Sequence, residues 1–201
     1  MSRAEVTWQR TVAPHFDFLT EHGFRPLPTN DSSFWATSCH YGSATAAVEV
    51  TRSNEFGRVE VSLIRLVDGA IPPYPIWVTS EPLHHTLLDN VLEARQSPML
   101  NDSALAYGLG ARDIQHQLVF WAEALRIVAP EFLAGDLSAI DEAEVVIRAR
   151  VAEHPQEIVT WLPDDASQDD ESAAMEQMRT EVPPEVSVTT RRYRRSPEGP
   201  T

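Results

Sequence analysis

The chain contains no lysine; all sixteen of its basic residues are arginine. A Schiff-base amine and the ammonium of a phosphate-binding P-loop are therefore both excluded. Cysteine is nearly absent too. Cys39 stands alone, so neither an internal disulfide nor a thiolate-built zinc site can form. In an apolar strand such a residue reads as a small buried hydrophobe. His40 follows it directly and points to the opposite face of a strand, so it cannot serve as the base of a Cys–His pair. Glycine is scarce, eight in 201 residues. Neither GxGxxG nor GxxxxGK[ST] occurs, and Gly108-Leu109-Gly110 lacks a third glycine and a preceding strand. There is no GxSxG elbow to expose a serine nucleophile. The uncharged stretch Ala70–Ser80 holds three prolines and is too short to span a bilayer. Met1–Arg10 carries charges and no apolar run, so no secretory leader is expected and the chain reads as cytoplasmic.

What is present in excess is negative charge. The formal net charge is −14. Such a surface repels nucleic-acid phosphates and anionic membranes, and it accelerates encounter with basic partners. Acidity for solubility alone is the competing explanation. The length fits a single domain with an appendage, large enough to bury a core without metal or disulfide.

Periodicity predicts an α+β fold: an antiparallel three- to four-stranded β-meander packed against amphipathic helices, with a flexible C-terminal tail. Trp8, Val12, Phe16 and Leu19 recur at helical spacing, with Pro14 marking a kink and Gly23 a stop. Three strands follow, Phe34–Tyr41, Thr45–Arg52 and Arg58–Val67, with turns at Gly42–Ser43 and Ser53–Gly57. In the second, Val48 and Val50 alternate with Glu49 and Thr51; in the third, Val59, Val61 and Leu63 alternate with Arg58, Glu60 and Ser62. A phase shift at Ile64–Leu66 signals a bulge or strand end, and Ile76–Val78 could add an edge strand.

Beyond Ser80 the stripe Leu83, Leu87, Leu88, Val91 and Leu92 predicts a helix with Pro82 in its first turn. The clearest helix spans Asp113 to Leu133, with Leu118, Trp121, Leu125 and Val128 on one face and a distortion at Pro130. Another begins near Ser138 and Asp141, with Asp136 in a capping position, and buries Ile140, Ala143, Ile147 and Val151. The domain is expected to cover residues 1–162. Residues 163–201 are expected to form an acidic and then arginine-rich tail with too little apolar area to order itself.

Few residues invite a chemical role. His84 and His85 adjoin on the expected helix, where their rings diverge; His85 and Asp89 share an i,i+4 face, and His116 is a third group that could join them. HxxxD is common by chance, and surface histidines on amphipathic helices account for the pattern equally well. No carboxylate sits in an apolar sequence setting that would raise its pKa. No cofactor or metal set is indicated. Of the five tryptophans, Trp8 and Trp121 fall on apolar faces, whereas Trp77 and Trp161 lie in proline-flanked segments suited to an interface. Trp77 and Trp161, together with Asp164, Asp165, Asp169, Asp170 and Glu171, form the expected partner-binding set. Arg191, Arg192, Arg194 and Arg195 around Tyr193 could contact phosphates, although the rest of the molecule repels that ligand.

Phe16-Asp17-Phe18-Leu19-Thr20-Glu21-His22-Gly23-Phe24, the strands, Trp121-Ala122 and Pro130-Glu131-Phe132-Leu133-Ala134-Gly135-Asp136 occur in an order that resembles small bacterial immunity-type proteins that neutralise polymorphic toxins. The resemblance covers roughly residues 1–155 in architecture. It implies an α+β domain that binds a protein, and it brings no catalytic residues. The expected function is accordingly a non-catalytic, intracellular interaction domain with a basic protein partner. A small hydrolase or metal-dependent enzyme using His85, Asp89 and His116 is the first alternative, and nucleic-acid binding through the arginine-rich end is the second.

Overall fold

The structure, a computed structural model, describes residues 3–28, 36–54, 57–73, 78–79, 81–102, 113–163, 167–184 and 186–193. The chain divides into two compact units: residues 1–75 with 82–147, and residues 76–81 with 148–201.

The first unit begins with α1, Arg3–Phe16, whose Trp8, Val12 and Phe16 lie four residues apart and are buried on one face. Beyond Pro14 the α-helix gives way to a 3₁₀ segment, Asp17–His22, that adds Leu19 to the core. Gly23 ends it at φ 84°, a conformation that costs glycine little, and its N–H closes onto the Thr20 carbonyl.

Five antiparallel strands follow in sequential order: β1 (Arg25–Leu27), β2 (Ala36–Gly42), β3 (Ala46–Ser53), β4 (Val59–Arg65) and β5 (His85–Leu87). The expected three-strand meander is β2–β3–β4, and short strands on both edges extend it. Gly57 in the β3–β4 loop has a φ of 64°, as the turn reading requires. The Ile64–Leu66 phase shift marks the end of β4 at Arg65.

Strict alternation gives the sheet two unlike faces. Cys39, Tyr41, Val48, Val50, Val59, Val61 and Leu63 belong to the core. Their neighbours Ser38, His40, Glu49, Thr51, Glu60 and Ser62 lie on the other face, in register with one another. The core face is covered by α1, α2 (Leu88–Ala94), α3 (Ile114–Val128), α4 (Pro130–Leu133) and the start of α5 (Ser138–Glu153). Trp121 and Phe132 are fully buried there; losing such an aromatic costs about 3–5 kcal/mol. Ala129 leaves helical geometry ahead of Pro130, so the expected Asp113–Leu133 helix is two helices. Arg95 binds this layer together through Glu131, the Val128 carbonyl and, at 2.8 Å, Glu142. Asp136 accepts the Ser138 N–H at 2.9 Å, the capping role anticipated for it.

Residues 81–87 are not helical, contrary to the periodic stripe. His85–Leu87 pair with Ser62–Ile64 as β5, and the helix starts only at Leu88. The open edge of β4 offers hydrogen bonds to an extended segment. That long-range pairing outweighs a helical pattern that Pro82 had already weakened.

In the second unit, β6 (Glu157–Pro163) pairs in parallel with β7 (Ser187–Tyr193), and α6 (Gln168–Glu181) provides the crossover that a parallel pair needs. Residues 168–193, expected to belong to a tail without order, thus contain a helix and a strand. The boundary falls near Arg148 rather than after residue 162. The Gln156 amide side chain holds both backbone groups of Val78, at 2.9 and 2.8 Å. Arg148 donates to the carbonyls of Thr79 and Glu81. No helix among the described residues is long and apolar enough to cross a membrane.

Candidate functional site: a polar groove on the open face of the sheet

The face of the sheet turned away from the helices carries a groove of about 850 Å³. Its floor is made by polar side chains that alternation places side by side: Ser38 and His40 from β2, Glu49 and Thr51 from β3, Glu60 and Ser62 from β4, and His85 from β5. Its apolar rim includes Ile71, Pro72, Pro73 and Leu87. Cross-strand register sets the contacts. His40 is opposite Glu49, and its Nε2 lies 3.3 Å from a Glu49 carboxylate oxygen. Ser38 is opposite Thr51, and their hydroxyls share a 2.7 Å hydrogen bond. Thr51 is in turn opposite Glu60, and Glu49 is opposite Ser62. The two carboxylates therefore stand on adjacent strands as diagonal neighbours, about 7–8 Å apart at the backbone.

Their environments drive them in opposite directions. Burial raises the Glu49 pKa, but hydrogen bonding and charge from His40, with the hydroxyls of Ser38 and Thr51, bring it to a net value below the usual 4.5. Burial also raises Glu60. The neighbouring Arg58, 3.1 Å away, only partly counters this, while Asp89 and Glu49 push it further up. Glu60 thus meets a pKa-raising environment that its sequence setting did not signal. The raised value of Glu60 comes from its partial burial in the folded groove, not from its neighbours in sequence.

His85 lies at the groove wall. Its Nε2 meets the Pro72 carbonyl at 2.8 Å, so the proton sits on Nε2 and donates. Burial lowers its pKa, more than the Pro72 contact and the Glu49 charge raise it. The ring thus fastens the 71–73 segment beside the floor.

The His85, Asp89 and His116 set forms no three-residue cluster among the described residues. His85 lies on the open face of β5, and Asp89 is in the first turn of α2. His116 is exposed in the first turn of α3, a helix on the core face, where it pairs with Asp113. With residues 85 and 89 in different elements, their i,i+4 helical spacing no longer exists. Among the described residues no three His, Cys, Asp or Glu side chains gather as a metal site requires. Trp77, Asp164, Asp165, Arg194 and Arg195 lie outside the described residues. Trp161 is in β6, in register with Arg191 of β7, and Leu162 is in register with Arg192. Asp169, Asp170 and Glu171 fall in the first turn of α6.

The sequence reading missed the groove, although its signal was present. Three consecutive strands each carry a polar residue every second position, and hairpin register aligns them. What was not visible was the cover: a proline segment and β5, held there by long-range contacts. Comparison of the chain with known protein families, curated proteins and solved structures gives no match.

Proposed function

We propose that this chain is a non-catalytic, intracellular protein-interaction domain of the immunity type, and that its sheet groove receives a cationic side chain of a basic protein partner. The observation that supports this reading is the pair Glu49 and Glu60 on the floor of one groove in a chain of net charge −14. A carboxylate that burial and like charge have raised gains most from an arriving cation, because the cation relieves both penalties. A planar guanidinium fits best, since it can bond to one carboxylate while its face lies on the proline rim. The acidic exterior contributes a faster encounter, and the groove contributes selectivity.

The test uses a short oligoarginine peptide, titrated calorimetrically at low and at physiological salt. Glu49→Gln/Glu60→Gln should weaken binding by about tenfold or more, in line with loss of charged hydrogen bonds. A charge-matched control, Glu123→Gln/Glu153→Gln, alters exposed helix positions and should leave affinity within twofold. Equal losses in the two variants would reduce the effect to net charge and end the proposal.

A second reading is favoured by one observation: Glu49 is driven down and Glu60 up, the arrangement by which one carboxylate acts as base and the other as acid. It requires a bell-shaped pH profile for hydrolysis of a small ester or amide that both Glu49→Gln and Glu60→Gln abolish. A flat profile, or turnover retained in either variant, removes it.

A further inference from the structure

We propose that a second cavity, on the helix side of the sheet, is a binding site for a small organic carboxylate, with Arg52 as its anchor. The cavity holds about 550 Å³, within the ordinary range for small-molecule sites. Its described walls come from four elements of the first unit: Thr7, Trp8 and Thr11 of α1, Thr37 of β2, Arg52 of β3 with Asn54 just beyond it, and Ile114 with Gln115 of α3.

Arg52 is the observation that requires an explanation. It is the next core-side position of β3 after Val48 and Val50, where alternation would place another apolar residue. Its Nε is buried and has no hydrogen-bond partner, and no acceptor or carboxylate among the described residues meets its guanidinium. Elsewhere in this unit Arg58 meets Glu60, Arg65 meets Asp141, Arg95 meets Glu131 and Glu142, Arg25 donates to the Thr20 and Phe24 carbonyls, and Arg126 lies over the Phe18 ring. Among the described residues, Arg52 thus stands beside a cavity with no recorded ion pair, in a chain that carries thirty acidic residues. Keeping a guanidinium partly out of water without an acceptor is costly. An incoming carboxylate matches the planar fork in two parallel hydrogen bonds and removes that cost.

The remaining walls define the rest of the ligand. Trp8, 4% exposed with its indole N–H bound to the Val50 carbonyl at 3.0 Å, and Ile114 offer apolar surface. The Thr37 hydroxyl is committed to Asn54, and the Thr11 hydroxyl to the Thr7 carbonyl. The Gln115 carbonyl is committed to His15 at 2.7 Å, which leaves its amide N–H groups free of that contact. The cavity therefore favours one anionic head at Arg52 and an apolar body on Trp8 and Ile114. This site is separate from the Glu49 and Glu60 groove, which lies on the opposite face of the sheet.

The experiment is a titration followed by amide and indole NMR signals, with four probes: benzoate, 4-phenylbutyrate, neutral benzamide and inorganic phosphate. A carboxylate should shift the Trp8 indole N–H and the Thr37 and Arg52 amides saturably, and benzamide should not. Arg52→Gln should raise the Kd by about tenfold or more, as expected for loss of a charged hydrogen-bonded pair. Thr11→Phe, which adds bulk at a lining position and keeps Arg52, should also abolish binding. Glu49→Gln/Glu60→Gln should leave it unchanged, so this proposal and the groove proposal fail independently. Equal binding of benzamide, an unaltered Kd in Arg52→Gln, or no response to either carboxylate would overturn the assignment. Phosphate binding as tightly as the carboxylates would replace it with a site for inorganic anions.

Discussion

The side-chain carbonyl of Gln117 accepts the backbone N–H of Val59 at 2.8 Å, across 58 positions of sequence. One helical turn later, the Trp121 indole N–H donates to the Val59 carbonyl at 3.0 Å. β5 pairs only with Ser62–Ile64, so among the described residues the start of β4 has no strand on that side. The central helix supplies the missing partners, and both polar groups of Val59 are satisfied by side chains. Gln117 is buried for this reason, at a helix position where an apolar residue would otherwise be expected.

Gln117→Leu keeps the size and leaves the Val59 N–H buried without an acceptor. The expected loss is about 1–3 kcal/mol, the cost of an unsatisfied buried donor. Trp121→Phe removes the other bond and opens a cavity, and should cost at least as much. Urea unfolding measures both. A change under about 0.5 kcal/mol in either would show that water replaces the lost bond.

Glu49 and Glu60 should give opposite pH signatures. The folded pKa of Glu49 is depressed, so its stabilising contribution is present above 4.5 and disappears as pH falls through the lower folded value. Glu49→Gln should therefore lose stability at neutral pH and converge with the parent in acid. The folded pKa of Glu60 is raised, so its ionised form is a burden at neutral pH and none below 4.5. Glu60→Gln should be at least as stable as the parent at pH 7, with the advantage vanishing in acid. Thermal melts from pH 3 to pH 7 would expose a wrong sign for either residue.

His85 should destabilise the fold as it gains a proton. Its folded pKa lies below 6.5, so the unfolded chain binds the proton first and stability falls as pH drops below 6.5. His85→Gln, which can still donate to the Pro72 carbonyl, should flatten that part of the profile. The groups facing the ring include Glu49, His84 and His40, so the comparison should be repeated in Glu49→Gln. An unchanged slope between pH 7 and pH 5 in His85→Gln would assign the transition to another group.

Cys39 should be inert in the native state. Burial, with a smaller contribution from the Glu49 charge, pushes its thiol up to about 12, and the residue is 3% exposed. The thiolate needed for alkylation is therefore scarce at pH 8. Labelling by iodoacetamide should follow global unfolding and accelerate by orders of magnitude in urea. Rapid native-state labelling would mean that β2 opens locally.

Local order was largely written in the chain. Trp8, Val12 and Phe16 at helical spacing, Gly23 as a stop, and the period-two alternation through Val48 and Leu63 are short-range signals, and the structure follows each of them. The same alternation assigned Glu49 and Glu60 to the polar face without revealing that folding partly buries both there. Residues 81–87 show where such signals fail: an apolar stripe reads as a helix in isolation and becomes a strand when β4 offers an open edge. The helix and strand within residues 168–193 were not legible because a parallel pair joins strands distant in sequence, and local composition does not report it.

The amino-acid sequence by itself thus determined the absences and the alternations: no lysine chemistry, no disulfide, a large negative charge, and a sheet with one apolar and one polar side. Tertiary structure alone decided the environments. It partly buried Glu60 and raised its pKa, fastened His85 to Pro72, placed His116 on a core-face helix, and left Arg52 without an ion pair among the described residues at the wall of a cavity. The physical reason is one of range. Backbone preference and side-chain period act over a few residues, whereas desolvation and charge pairing depend on groups that only folding brings within a few ångströms.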